Sequence, residues 1–427
     1  MPPTAAKGPL LEARVARLLH AEGGFVRRAV DLGVRFREHF QVTDIDVLAF
    51  FFDRTLETRI VNGECKATEA KSAPSSADRL LWLVGVARLI DSKSSFLATT
   101  KSASDNTRGL AARLGSEILD PRDLERREQL VGLTDTSPYG TQAPDLAALA
   151  ADVLKTVKPD DELRRVYGFA RSDLWLAPTT IALKRAIGAC RVLGGRYSEN
   201  LPEKQRSAVM WLASETITGI TLALTRIAAL AYRQPEDVFE RHLHERLAEG
   251  AASYAAMQEM SKTIDKFMLG MLTEFGVDPA KATAAIGAFE PKPPAYAGPL
   301  VELVQRLALA APATVDLPRL AEHYLLGALH APVRSAPVPA SNEPETARLL
   351  RLVATFLERQ AQLPAELLEP LRKNGRAQPS NSQAETQPAH EHGAQDREQP
   401  TASREDGTAP AAEEAAQPPQ LFHESGS

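Results

Sequence analysis

The sequence predicts a mixed α/β unit over residues 1–135, an all-α region over 136–372 and a disordered tail over 373–427. Three observations carry this. Segments of alternating and of helical periodicity interleave near the N-terminus, Ala/Leu-rich stretches of period near 3.6 dominate from about 140 to 372, and composition then shifts abruptly to Gln, Pro, Ser, Ala and Glu.

In order, residues 8–21 read as an amphipathic helix with Leu10, Leu11, Val15, Leu18 and Leu19 on one side. The Gly23-Gly24 pair breaks it, and Phe25 to Val30 has strand character. Further strands are predicted at Thr43–Phe52, Arg59–Lys66, Ser95–Thr99 and Glu117–Asp120, with helices at Asp78–Ile90 and Thr107–Leu114. The order α, β, β, β, α, β, α, β indicates a mixed sheet flanked by helices. Beyond it, helices are predicted at Ala143–Val157, Pro178–Leu193, Glu203–Tyr232, Glu236–Phe275, Leu300–Ala311 and Glu345–Arg359. No fixed-period repeat supports a solenoid. The tail's only large apolar pair is Leu421-Phe422, too little to offset chain entropy.

At 427 residues the chain is too long to be a single binding motif. Two cysteines, Cys65 and Cys190, exclude a disulfide-stapled secreted scaffold and point to the cytosol. No apolar run suggests a membrane span, and the N-terminus lacks a signal-peptide pattern, so no membrane partner is expected. The net charge of −5 is misleading when taken whole. Asn374 to Ser427 carries three Lys/Arg against nine Asp/Glu, which leaves 47 basic against 46 acidic residues elsewhere. A local basic groove is therefore compatible with the composition. Phosphate loops of the G-x-x-x-x-G-K-[ST] or G-x-G-x-x-G type are absent, so any ATP-driven step belongs to a partner.

The chemistry-bearing pattern lies on two successive predicted strands. A period of two puts Asp44 and Asp46 on one face, with Ile45 and Val47 on the other. On the next strand it places Glu64 and Lys66 side by side, with Cys65 turned toward the core. If the strands pair, two or three carboxylates and one ammonium converge, an arrangement that calls for a cation or for compensation by Lys66. Oxygen ligands without a His or Cys cluster suit Mg²⁺ or Mn²⁺. Such an ion would polarise a phosphoryl oxygen, while Lys66 orients water or stabilises developing charge.

Asp46, then Glu64-Cys65-Lys66 eighteen residues later on consecutive strands after a first helix, resembles the PD-(D/E)XK nuclease superfamily. The likeness is to archaeal-type Holliday-junction resolvases and type IV (Mrr-like) restriction endonucleases. Lys7-Gly8, Glu12 in the first helix, and Gly24-Phe25 with Arg27-Arg28 entering the first strand match the usual opening. The match runs through Ser95–Thr100 and the helix near Thr107 to Ile118-Leu119-Asp120, about 115 residues. The resemblance implies a restriction-endonuclease-like fold and metal-dependent cleavage of phosphodiesters, in DNA first, with a restriction or phage-defence role. It implies Asp46 and Glu64 as metal ligands, Lys66 as the catalytic lysine and Glu12 as an accessory group. The family's proline before its first aspartate is missing, since Thr43 precedes Asp44 and Ile45 precedes Asp46, so both aspartates stay in contention. Asp46 is favoured because Val47-Leu48-Ala49-Phe50 follows it directly.

Lys101, Ser102 and Arg108, around the start of the helix after the fourth strand, are candidate nucleic-acid contacts, as is Arg28; capping by Ser104 or Asp105 is the bland alternative. His242 and His244, two apart on a predicted helix, cannot share a metal, and Cys190, Trp82, Trp175 and Trp211 read as packing residues. The helical region is expected to supply substrate selection, a homodimer contact or a protein partner. Two other functions stay open: a non-catalytic helical scaffold with a vestigial nuclease-like docking domain, and an RNA-cleaving nuclease.

Overall fold

The computed structural model describes residues 7–35, 39–66, 74–133, 144–249, 254–286, 292–329 and 340–373. Except for Lys373, the predicted tail lies outside the described residues. The N-terminal part contains α1 (Lys7–Ala21), β1 (Phe25–Arg35), β2 (His39–Phe52), β3 (Thr58–Lys66), α2 (Ser76–Leu89), β4 (Ser94–Thr99), α3 (Asp105–Arg113), β5 (Ser116–Leu119) and α4 (Pro121–Leu130). The five strands form one mixed sheet in chain order, antiparallel through β3 and parallel from β3 to β5. The predicted mixed sheet with flanking helices is present.

Local chemistry sets its joints. Gly23 takes φ +97° just after α1, and the Gly23 and Gly24 N–H groups donate to the carbonyls of His20 and Leu19, closing the helix before β1 begins. At Gly63 in β3 the Phe96 ring from β4 lies over the backbone, where a Cβ would stand 1.9 Å from the ring edge. A side chain at this position would have to displace that ring.

One face of the sheet is covered by α1 and α4, with Leu11, Val15, Leu18, Val26, Val47, Ala49, Phe96 and Leu124 in a shared core. Leu10, predicted for the inner side of α1, is instead 55% exposed, because the buried stripe runs through Leu11, Val15, Leu18 and Leu19. The opposite face is divided. Over β4 and β5 it packs α2 and α3 through Leu80, Leu97, Ala111 and Ile118. Over β1 and β2, Phe25, Val30, Ile45, Leu48 and Phe50 belong to the same core as Trp175, Leu183, Ile217 and Leu224 of the helical region.

That region comprises α5 (Pro144–Val157), α6 (Asp161–Arg171), α7 (Asp173–Leu176), α8 (Thr179–Arg196), α9 (Glu203–Arg233), α10 (Glu236–Ala248), α11 (Tyr254–Glu274), α12 (Pro279–Ile286), α13 (Ala297–Leu309), α14 (Ala311–Thr314), α15 (Leu317–Leu329), α16 (Glu343–Ala361) and α17 (Ala365–Lys373). The change at residue 135 is thus one of architecture, while the core runs across it; the described residues fall in one compact unit. The helix predicted over Glu236–Phe275 is two helices, α10 and α11, with residues 250–253 between them outside the described residues.

Helix α9 is the axis of this region. By length and composition it is apolar enough to cross a membrane, yet 94% of its apolar window is buried inside the protein. Its buried hydroxyls are satisfied within the helix: Thr216 donates to Leu212 O at 2.7 Å and Thr225 to Thr221 O at 2.9 Å. Trp175 and Trp211 are buried, the first donating its indole N–H to Ala170 O at 2.6 Å, the second stacked on Tyr167. Cys190 is fully buried among apolar residues.

Candidate active site

The β2–β3 ladder runs from Phe52↔Thr58 to Val47↔Gly63 and stops one step before Asp46 would face Glu64. Where the next backbone bond would lie, the Asp46 carboxylate accepts the Cys65 N–H at 2.7 Å. Asp46 thus caps a strand whose partner has splayed away, and its own backbone no longer dictates which face its side chain joins.

The strict alternation predicted for this strand breaks here. Ile45 enters the core shared with the helices, whereas Val47 enters the core under α1, so these neighbours do not share a face. Across the sheet, Ala29 of β1 lies in the left-handed region at φ +49° between Arg28↔Val47 and Val30↔Ile45. Arg27 and Phe25 point to the helical side and Arg28 to α1, after which Val30 and Leu32 point to the helical side again. An irregularity spanning Ala29 and Asp46 therefore swaps the faces of two adjacent strands at the candidate site.

Around Asp46 the structure gathers Glu12 from α1, Asp44 from β2 and Glu64 from β3. Burial pushes the Asp46 carboxyl up to about 7, with Glu64, Glu12 and Asp44 adding to the rise and the Cys65 N–H opposing it. Burial likewise raises Glu64, aided by Asp44 and Glu12 and opposed by Arg79. The Cys65 thiol, pressed against the core under α1, is pushed up by burial and then by the same carboxylates.

Two of the three surrounding carboxylates have an arginine. Glu64 is paired with Arg79 of α2, and Glu12 with Arg28 at 3.2 Å; the Arg28 guanidinium also donates to Pro9 O at 3.1 Å. Asp44 is exposed and faces Asp31 across the β1–β2 ladder. Of the two aspartates, Asp46 makes the contact with β3. Lys66 turns elsewhere: its ammonium donates to Pro74 O at 2.8 Å, beside Asp78. The predicted side-by-side placement of Glu64 and Lys66 holds along the backbone, but their side chains engage different partners.

The predicted nucleic-acid contacts are dispersed. Ser104 caps α3 by accepting the Thr107 N–H, and Lys101 and Ser102 are exposed in the preceding loop. Arg108 is engaged with Asp120 at 2.5 Å and Asp123 at 2.9 Å, and Asp120 at the same time caps α4. Arg28 is partly buried on Glu12. His242 accepts from the Arg246 guanidinium at 3.4 Å on its Nε2.

Sequence reasoning missed Arg79 altogether. Its signal lay in the start of α2, where Ser75 and Asp78 form a capping box that fixes the first turn and leaves the next residue over β3.

For a metal, the donor set consists of the oxygens of Asp46 and Glu64. Among the described residues no group of three or more His, Cys, Asp or Glu side chains converges at ligand distances. Two carboxylates nonetheless fit Mg²⁺, which keeps several of its waters and takes one or two protein carboxylates. Their unfavourable burial as anions is what a cation would relieve.

No family model matches the chain, and no curated protein matches it. A solved structure titled "Crystal Structure of Protein of Unknown Function AF1548" is similar at 16% identity and a TM-score of 0.23, covering 50% of this chain and 97% of that one. A likeness at that score carries no argument about fold or activity.

Proposed function

We propose that the chain is a divalent-cation-dependent endonuclease of the PD-(D/E)XK type, with a restriction-endonuclease-like N-terminal fold and DNA as its substrate. One observation carries the reading. Asp46 sits where β2 and β3 part, on the Cys65 N–H and beside Glu64, as a partly buried carboxylate whose pKa is raised to about 7 by burial, with Glu64, Glu12 and Asp44 adding to the rise.

In this reading Asp46 and Glu64 hold Mg²⁺ or Mn²⁺, which when bound supplies Lewis acidity and neutralises charge at the phosphoryl group. Asp46 gives up its proton to do so, and Glu64 exchanges part of its contact with Arg79. Lys66 leaves the Pro74 carbonyl for the attacking water or a phosphoryl oxygen, where an ammonium stabilises developing negative charge. Glu12, held by Arg28, adds to the negative potential that raises cation affinity. Lys101 and Ser102 lie in an exposed loop fit for a phosphate, whereas Arg108 is held by two aspartates.

The test is cleavage of supercoiled plasmid with Mg²⁺ or Mn²⁺, alongside labelled RNA. Asp46→Ala, Glu64→Ala and Lys66→Ala should each lower the DNA rate at least ~100-fold. Undiminished cutting by all three removes the site from consideration. Faster cutting of RNA would transfer the reading to that polymer.

A second reading, a non-catalytic docking module, is favoured by the engagement of Lys66 with Pro74 and of Glu64 with Arg79. Calorimetry separates the two: a docking module binds no divalent cation at this site.

A further inference from the structure

Helix α11 carries an apolar stripe that the rest of the described fold leaves uncovered. Met260, Ile264, Phe267, Met268 and Met271 of the helix, and Phe275 just after it, are 38–82% exposed, while Ser261, at the edge of the stripe, is buried. The helix contacts α12 and α10. The exposed residues follow spacings of four, three, four and four, with Met268 beside Phe267, so at 3.6 residues per turn all six fall within about 100° of arc and form one stripe rather than scattered surface hydrophobics.

We propose that this stripe is the contact of an isologous homodimer in which α11 pairs antiparallel with α11 of a second copy. The spacing itself selects a second copy. About a two-fold axis between Phe267 and Met268, Met260 falls opposite Phe275, Ile264 opposite Met271, and Phe267 opposite Met268, so every exposed large residue of the stripe meets another. A two-fold interface demands this self-complementarity, and a foreign helix would place no such palindrome on this one.

Area agrees with it. At these exposures the six side chains present roughly 700 Å² of surface per copy, near the ~800 Å² per partner of a standard stable interface. The C-terminal tail is a poor occupant, since its only large apolar pair is Leu421-Phe422. This inference is independent of the nuclease reading.

The test is the mass of the full-length chain by sedimentation equilibrium over ~0.1–50 μM. The expected result is a dimer whose dissociation constant rises at least ~100-fold in Phe267→Glu, with the melting profile of the monomer retained. Register is checked by cysteines: Ile264→Cys/Met271→Cys should crosslink into covalent dimers under mild oxidation, and Ile264→Cys alone should not. A monomer at every concentration overturns the proposal, as does a dimer indifferent to Phe267→Glu. A dimer crosslinked equally by the single cysteine overturns the antiparallel register.

Discussion

Two clusters of arginine and carboxylate lie on the same sheet, and they are built to opposite ends. On the helical side, Arg27 of β1 pairs with Glu215 of α9 and with Glu322 of α15 at 2.8 Å, under the ring of Trp175 at 4.3 Å from its centroid. All three side chains are 5% exposed or less. Arg171, which donates to Ala29 O, adds a second positive charge acting on Glu215. At the candidate site, four carboxylates, Glu12, Asp44, Asp46 and Glu64, have two paired arginines, Arg28 and Arg79, and Asp46 has neither. The first cluster is sealed with its charges matched, and it joins two parts of the chain. The second is partly open and short of positive charge. A charge deficit at a splayed strand end asks for a ligand, whereas a balanced buried cluster asks for nothing.

The comparison breaks most sharply at Arg27. Arg27→Met should cost about 3–5 kcal/mol, because Glu215 and Glu322 are then buried without their partner. Denaturant unfolding would measure it, and a cost below ~1 kcal/mol would show that the cluster does not join sheet to helices.

Asp46→Asn should have the opposite sign, stabilising the cation-free protein by ~1–3 kcal/mol at pH 7 to 8. The sign follows from linkage. A carboxyl raised from 3.8 to about 7 binds more protons folded than unfolded, so the wild type loses stability as pH rises from about 4 to about 7. The Asn variant should lack that slope, and added Mg²⁺ should stabilise the wild type alone. Identical pH–stability curves for the two proteins would place the Asp46 carboxylate in water.

The smallest effect is expected at Arg79, whose side chain is one-third exposed. Arg79→Gln should change stability by under ~1 kcal/mol and tighten Mg²⁺ binding a few-fold in calorimetry, since Glu64 is freed from its arginine. Weaker cation binding would make Arg79 an element that positions Glu64.

Much of the sheet was legible from local pattern. The strand predicted over Arg59–Lys66 is present at Thr58–Lys66 and the helix predicted over Asp78–Ile90 at Ser76–Leu89, because local periodicity acts between near neighbours in the chain. The acidic pair was legible in the same way: Asp46 and Glu64 stand out as charges inside apolar strands. What could not be read was how those strands part. Alternation predicts a common face for Ile45 and Val47, and the swap at Ala29 and Asp46 overrides it because packing on both faces outweighs the regularity of a single strand. Lys66 was expected beside Glu64 by periodicity, yet its long side chain reaches the Pro74 carbonyl at the entry to α2. The continuous helix expected from Glu236 to Phe275 divides into α10 and α11, with Glu249 leaving helical geometry just before Gly250 in the sequence.

By itself the sequence determined the order of the elements, the mixed α/β character of the first part, the helical character of the second, and the residue types that meet near Asp46, all of which depend on interactions a few positions long. Only the tertiary structure decided the pairing of Arg27 with Glu215 and Glu322, 188 and 295 residues away, the approach of Arg79 to Glu64, and which helix keeps an uncovered apolar stripe. Amphipathic periodicity states that a face will be buried. It does not state against what, because hydrophobic burial is non-directional and its partner is chosen by the packing of the whole.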